Sequence, residues 1–155
     1  MGIKEIKGTE QLNKIIKAIG SQPKIKDLLN LTDKDLIINN LLIILQTKFL
    51  NCKFNVKDIT KSIPRSYEHL SREFHKKTGY TIEGYLIQLR LSSWNNLYCN
   101  FPETCLTRLC EEVGFPSYND FRYHIKRRFM MEPSEYIKYL IHYKKRYQLT
   151  FRKYQ

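Results

Sequence analysis

The chain repeats itself, and the repeat restricts its fold more than any other feature. Set beside each other, Ile59, Thr60 and Ile63 fall on Leu109, Cys110 and Val113. After a one-residue insertion Ser66-Tyr67 falls on Ser117-Tyr118, Leu70 on Phe121 and Phe74 on Ile125. Lys76-Lys77 then falls on Arg127-Arg128, and Tyr85 on Tyr136. Apolar positions match apolar positions and turns match turns. One unit has therefore been used twice, and two copies do not make a stacked solenoid.

Each copy reads as a short helix, a tight break and a longer helix. In the second copy the break is Val113-Gly114-Phe115-Pro116-Ser117. Gly114 can take the left-handed conformation that stops a helix, and Ser117 can cap the next one. Asp120, three residues on, is placed to complete a capping box and suits the positive end of that helix. The first copy breaks at Ile63-Pro64-Arg65-Ser66, with Ser66 as the cap. Two helices joined by so short a turn form a helix-turn-helix. Small residues are needed where the two helices meet, and Thr60 and Cys110 stand there, which gives Cys110 a packing role.

Around these units the pattern predicts helix almost throughout. Glycines and prolines, 6 and 5 in number, fall between periodic runs. Helices are expected over 9–19, 33–50, 56–62, 66–78, 82–99, 105–112, 117–129 and 133–146, with Asp33 as an N-cap and a linker around Pro23. The helix over 82–99 would span about 27 Å. It would serve as a strut tied to both units through Tyr85, Leu86, Leu89, Trp94 and Leu97. The fold class is thus all-α: two helix-turn-helix subdomains joined by a long linker helix, with an N-terminal helical extension over 1–32, a double helix-turn-helix core over 33–140 and a basic tail over 141–155.

The faces of the longer helices point to the partner. Tyr67, Leu70 and Phe74 form one buried stripe, and Tyr118, Phe121 and Ile125 the other. The opposite faces carry Glu68, Ser71, Arg72 and His75 in the first copy, and Asn119, Arg122, Tyr123 and Lys126 in the second. Such side chains read base edges: Arg meets guanine, Asn adenine, Glu cytosine. A single polar face would be read as merely solvated, but two in the same register behind capped turns are not. The chain has 27 Lys and Arg against 15 Asp and Glu, a formal net charge of +12, which favours a polyanionic partner. The surplus is +4 over residues 1–54, zero over 55–121 and +8 over 122–155.

Other classes fit less well. LIINNLLIIL, from Leu36 to Leu45, is too short to span a bilayer and is broken by Asn39 and Asn40. The N-terminus has no continuous apolar export segment, so a cytoplasmic location and reduced thiols are expected, with no membrane partner. Cys99, Cys105 and Cys110 lack zinc-ligand spacing, and no metal, cofactor or catalytic residue is expected. The main rival is a DNA-repair alkyltransferase with a reactive cysteine, for which only Cys52 lies outside the repeated region. An interaction module that does not read DNA is a second.

The stretch GFPSYNDFRYHIKRRFMMEPSEYI, residues 114–137, resembles the second unit of the AraC/XylS family of bacterial transcription regulators. Gly114, Phe115, Ser117, Phe121, Lys126, Arg127, Phe129, Pro133 and Tyr136 carry the likeness. The first unit is similar through Ser66, Leu70, Ser71, Arg72, Phe74, Lys76, Gly79, Tyr85 and Arg90-Leu91. The resemblance covers about residues 33–140. It implies a seven-helix, two-unit fold whose third and sixth helices, 66–78 and 117–129 here, insert into the major groove.

The DNA-binding residues implied are Ser66, Glu68, Ser71, Arg72, His75, Lys76, Ser117, Asn119, Arg122, Tyr123, Lys126 and Arg127. The implied partners are double-stranded DNA and RNA polymerase, with a homodimer or an N-terminal sensory domain as further associations. Four positions depart from the family pattern: Tyr123 replaces Arg, Asp120 an aromatic, Met130 Gly, and Ile137 a basic residue. The second unit is therefore expected mostly to grip phosphate, leaving specificity to Arg72 and its neighbours. The first 50 residues show no sensory-barrel pattern, which fits either a small stand-alone regulator or the C-terminal piece of a longer one. Leu36, Ile37, Leu41, Leu42, Ile43, Ile44, Leu45 and Phe49 surround more of the helix over 33–50 than one stripe can bury, so one side is expected on the first unit and the other against residues 9–19, a sensory domain or a second subunit.

Overall fold

The computed structural model describes residues 33–152, and the helix expected over 9–19 lies outside them. The described residues are helical with no strand. The order is α1 (Asp33–Lys48), a 3-10 helix (Val56–Lys61), α2 (Tyr67–Thr78), α3 (Ile82–Asn100), α4 (Leu106–Glu112), α5 (Tyr118–Phe129) and α6 (Pro133–Arg152). No helix among them is long and apolar enough to cross a membrane.

Caps set the boundaries. Ser66 accepts from the His69 backbone N–H at the start of α2, Thr81 from Gly84 at the start of α3, and Ser117 from Asp120 at the start of α5. The box expected at Ser117 forms differently. The Asp120 carboxylate accepts from the Ser117 hydroxyl at 2.6 Å, and the Asp120 N–H donates to that same oxygen at 3.2 Å. Left-handed residues close α2 at Gly79 and α5 at Met130, with φ of 75° and 58°.

Two elements differ from the sequence expectation. The segment after Asn55 winds as a 3-10 helix. With three residues per turn, Val56 and Ile59 lie one above the other, and both are buried. The last helix runs on to Arg152, because no glycine or proline occurs after Pro133 to stop it. Part of the basic tail is therefore helical.

Two hydrophobic cores form, one per unit. The first joins Ile38, Leu41 and Leu45 of α1 to Val56, Ile59, Ile63, Leu70 and Phe74, and to Ile82, Tyr85, Leu86 and Leu89 of α3. The second joins Leu91 and Trp94 of α3 to Leu109, Cys110, Val113, Phe115, Phe121, Ile125, Phe129, Tyr136 and Leu140. The strut α3 thus gives its first half to one core and its second half to the other. Tyr85 and Tyr136, paired in the repeat, are both buried, and the Tyr136 hydroxyl donates to Asn95 at 2.9 Å. Cys110 is fully buried where α4 meets its unit.

Polar contacts brace the two units. The buried Arg90 donates from Nε to the Phe49 carbonyl at 2.8 Å and from Nη2 to that of Asn51 at 3.0 Å. These carbonyls lie just past α1, on the backbone that Gly114 abuts from the second unit. Arg128 of α5 donates to the Gln88 side chain and to the Gly84 carbonyl of α3, both at 3.0 Å. Lys77 pairs with Asp35, tying α2 to α1.

The expectation for α1 holds on one side. Ile38, Leu41 and Leu45 pack on the first unit, whereas Leu36 and Ile43 remain 49% and 56% exposed among the described residues.

Candidate nucleic-acid interface

The residues singled out by the repeat lie on outward faces of α2 and α5. On α2, the apolar stripe of Leu70 and Phe74 is fully buried, and this turns Glu68, Arg72, His75 and Lys76 to solvent. Ser71 is half-buried at the edge of that face. Ser66 lies at the helix entrance, where its side-chain oxygen serves as the cap. Arg72 has neither a hydrogen bond nor an ion pair with any described residue. Lys76 has a loose ion pair with Glu73, one turn away on the same helix, at 3.2 Å.

On α5, Phe121 and Ile125 are buried and Asn119, Arg122, Tyr123, Lys126 and Arg127 are exposed, while Ser117 is half-buried as the cap. Here the cations are already engaged. Arg122 forks onto the Glu132 carboxylate, with Nε at 2.9 Å from one oxygen and Nη2 at 3.3 Å from the other. Lys126 reaches the same carboxylate at 2.6 Å. Hydrogen bonding from Arg122, then from Lys126, lowers the Glu132 pKa to about 2, so the group is ionised at any neutral pH. Arg127 donates to the Tyr123 hydroxyl at 2.7 Å and lies over its ring. The two units thus match in fold and differ in charge chemistry.

Between the units lies a cavity of about 350 Å³, lined by Thr81, Glu83, Gly84, Ile87, His124, Arg127 and Arg128. The repeat set Arg127-Arg128 on Lys76-Lys77. Only Arg127 faces solvent, while Arg128 is drawn in as the brace to α3. Burial lowers the pKa of His124 and of Arg128, and the Arg128 charge lowers His124 further. Glu132 was missed as a site residue. The signal was present, because in the repeat it stands where the first unit has Thr81, a neutral cap.

The cysteines sit in different surroundings. Burial pushes the Cys110 thiol up to about 12. Cys105 is exposed, and the Arg108 and Thr107 backbone N–H groups lower its pKa. Cys52 is exposed near the Arg90 brace. No cluster of three or more His, Cys, Asp and Glu that could hold a metal occurs among the described residues.

A family model described as a helix-turn-helix domain matches residues 59–139, just over half of the chain and both repeated units. Among curated proteins, the transcriptional regulatory protein HptR of Staphylococcus aureus is 33% identical over 87 residues, covering 56% of this chain and 33% of that protein. An uncharacterized response regulatory protein of Staphylococcus epidermidis is 34% identical over 87 residues, covering 56% of this chain and 34% of its own length. The match therefore spans about a third of the length of these relatives. No solved structure matches the chain.

Proposed function

This chain belongs to the AraC-type helix-turn-helix family, and from that premise we propose that it is a sequence-specific, DNA-binding transcription regulator that lays α2 and α5 into successive major grooves of one duplex. The observation that carries the reading is the pair of matched units, each burying one stripe of its second helix and turning a polar stripe outward. The 19 residues of α3 make a strut of about 28 Å. That suits two grooves about 34 Å apart along one DNA face. Residues 33–140 form the DNA-binding part on this reading, with 1–32 as an extension and the basic end of α6 as an accessory. RNA polymerase, and a second copy or a sensory domain joined through the N-terminal side, are the further partners it proposes.

The base reader of the first unit is Arg72, exposed in mid-helix with no hydrogen bond or ion pair to a described residue. A guanidinium so placed can pair with guanine O6 and N7. The α2 neighbours Glu68, Ser71, His75 and Lys76 complete that surface, and Asn119 and Tyr123 are the base-facing residues of α5. Binding-site selection from random duplexes tests the proposal. The wild-type chain should return a split site with a guanine preference, and Arg72→Ala should cost about 1–3 kcal/mol while relaxing preference at one base pair. Recovery of no preferred sequence would refute sequence-specific binding. An unchanged preference in the variant would remove Arg72 from the base-reading set.

A further inference from the structure

We infer that Glu132 is a specificity-determining residue: an internal counter-anion that occupies Arg122 and Lys126 on the outer face of α5 and so suppresses indiscriminate phosphate binding by the second unit. This rests on the proposal that α5 meets duplex DNA. The geometry is a phosphate mimic. A carboxylate and a phosphate both present two oxygens to the guanidinium fork, and Arg122 holds both Glu132 oxygens at 2.9 and 3.3 Å. Lys126 closes on the second of them at 2.6 Å. The cluster therefore shows one net positive charge to an approaching duplex where two cations stand in the sequence.

The anion is held in place by the fold. The Glu132 carbonyl accepts from the Glu135 and Tyr136 backbone N–H groups, both at 3.0 Å, and the Glu132 N–H donates to the Glu135 carboxylate at 3.0 Å. Its backbone is thus fixed at the entrance to α6. Its side chain and both cations remain exposed, and exposed ion pairs are weak. A phosphate that arrives in register can displace the carboxylate, whereas a transient encounter has less to gain. Hydrogen bonding from Arg122 and Lys126 keeps the carboxyl ionised far below neutral pH, so the device does not switch with physiological pH.

The sister unit supplies an internal comparison. Thr81 occupies the equivalent position, caps α3 through its hydroxyl and carries no charge. There Arg72 has no hydrogen bond or ion pair with a described residue. The difference assigns the two units different electrostatic behaviour toward the same polyanion.

The test is a salt series with a random-sequence duplex, using wild type, Glu132→Gln and Glu132→Thr, with helicity checked by circular dichroism. Removing one negative charge should add about one phosphate equivalent, steepening the slope of log affinity against log salt by about 0.9. With affinities converging near 1 M, that slope corresponds to about eightfold tighter random-duplex binding near 0.1 M salt. The gain should vanish when Arg122→Gln and Lys126→Gln are added. The threonine variant restores the cap used in the first unit, so it decides the matter if the glutamine variant folds poorly. A folded variant with unchanged slope and affinity overturns the role of Glu132. A wild-type chain that binds no duplex even at low salt overturns the DNA-binding proposal itself.

Discussion

Replacing Gly114 by alanine should unsettle the junction of the two units, and Gly79→Ala gives the reference for how much. Both glycines lie in left-handed backbone, with φ of 89° and 75°. Forcing an L side chain there costs about 1–2 kcal/mol. The reduced freedom of the unfolded chain returns about 0.4–1 kcal/mol. At Gly79 nothing lies within 4 Å of an added Cβ, so the net destabilisation should be about 1 kcal/mol.

At Gly114 the added Cβ would stand 2.2 Å from the Phe49 carbonyl oxygen and 2.9 Å from the Leu50 carbonyl carbon and oxygen. These are backbone atoms and must move as a segment. The segment is the one that Arg90 holds through Phe49 and Asn51. Breaking one such charged hydrogen bond costs about 1.5–3 kcal/mol. Added to the backbone cost, this puts Gly114→Ala at about 2.5–4 kcal/mol, a large part of the stability of a small fold. Urea denaturation monitored by circular dichroism measures both variants. Equal destabilisation at the two glycines, within about 0.5 kcal/mol, would refute the close approach and leave only the backbone conformation.

Single residues supply three further tests. Met130 is left-handed and 80% exposed, so Met130→Gly should stabilise the chain by about 0.5–1 kcal/mol, read as a higher urea midpoint. His124 has its pKa lowered by burial and by Arg128, against a smaller opposing pull from Asp120. The unfolded chain therefore takes up the proton first: stability at this site is fully present above the ordinary value of 6.5 and is lost as pH falls from there through the folded value. Thermal melts at descending pH should show this decline, and His124→Gln should reduce it. Leu41 is fully buried, so Leu41→Ala should cost about 2–5 kcal/mol. Ile43→Ala, on the exposed face of the same helix, should change stability by less than about 0.5 kcal/mol.

Helix boundaries and core faces were legible because each depends on neighbours in sequence. Ser66 and Ser117 cap helices three residues away, and Leu70, Phe74, Phe121 and Ile125 keep helical spacing onto buried stripes. The shared use of α3 was legible too, since Tyr85, Leu86 and Leu89 keep helical spacing along its first half and Trp94 and Leu97 along its second. The braces were not. Arg90 and Arg128 find partners about 40 residues distant along the chain, and a periodic pattern assigns a residue to a face without naming what it will meet. For Glu132 the repeat marked a charge at the place of a neutral cap, but only the fold shows that Arg122 and Lys126 close on it. At Val56–Lys61 the pattern does not separate a 3-10 turn from an α-helix, because Val56 and Ile59 satisfy either spacing.

The charge surplus at the C-terminal end needs a different home from the one its sequence position implies. All four Lys and Arg residues of α5 are engaged: Arg122 and Lys126 by Glu132, Arg127 by Tyr123, and Arg128 by α3. The net +8 of residues 122–155 must then act mainly through the cations beyond Glu135. Lys138 is exposed on α6, and the α6 backbone continues as helix to Arg152 through Lys144, Lys145 and Arg146. No acidic residue occurs after Glu135 to cancel these cations. If they touch phosphate, they contribute affinity without sequence preference and release counterions. Changing Lys144, Lys145 and Arg146 to glutamine should weaken binding to selected and random duplexes by the same factor. The salt slope should flatten by about 0.9 for each phosphate that is no longer neutralised. In the Glu132→Gln background the same substitutions should subtract the same increment, since the two groups act on separate phosphates. A slope unchanged by removing all three charges would place the end of α6 outside the interface and leave the wild-type electrostatic grip to the first unit.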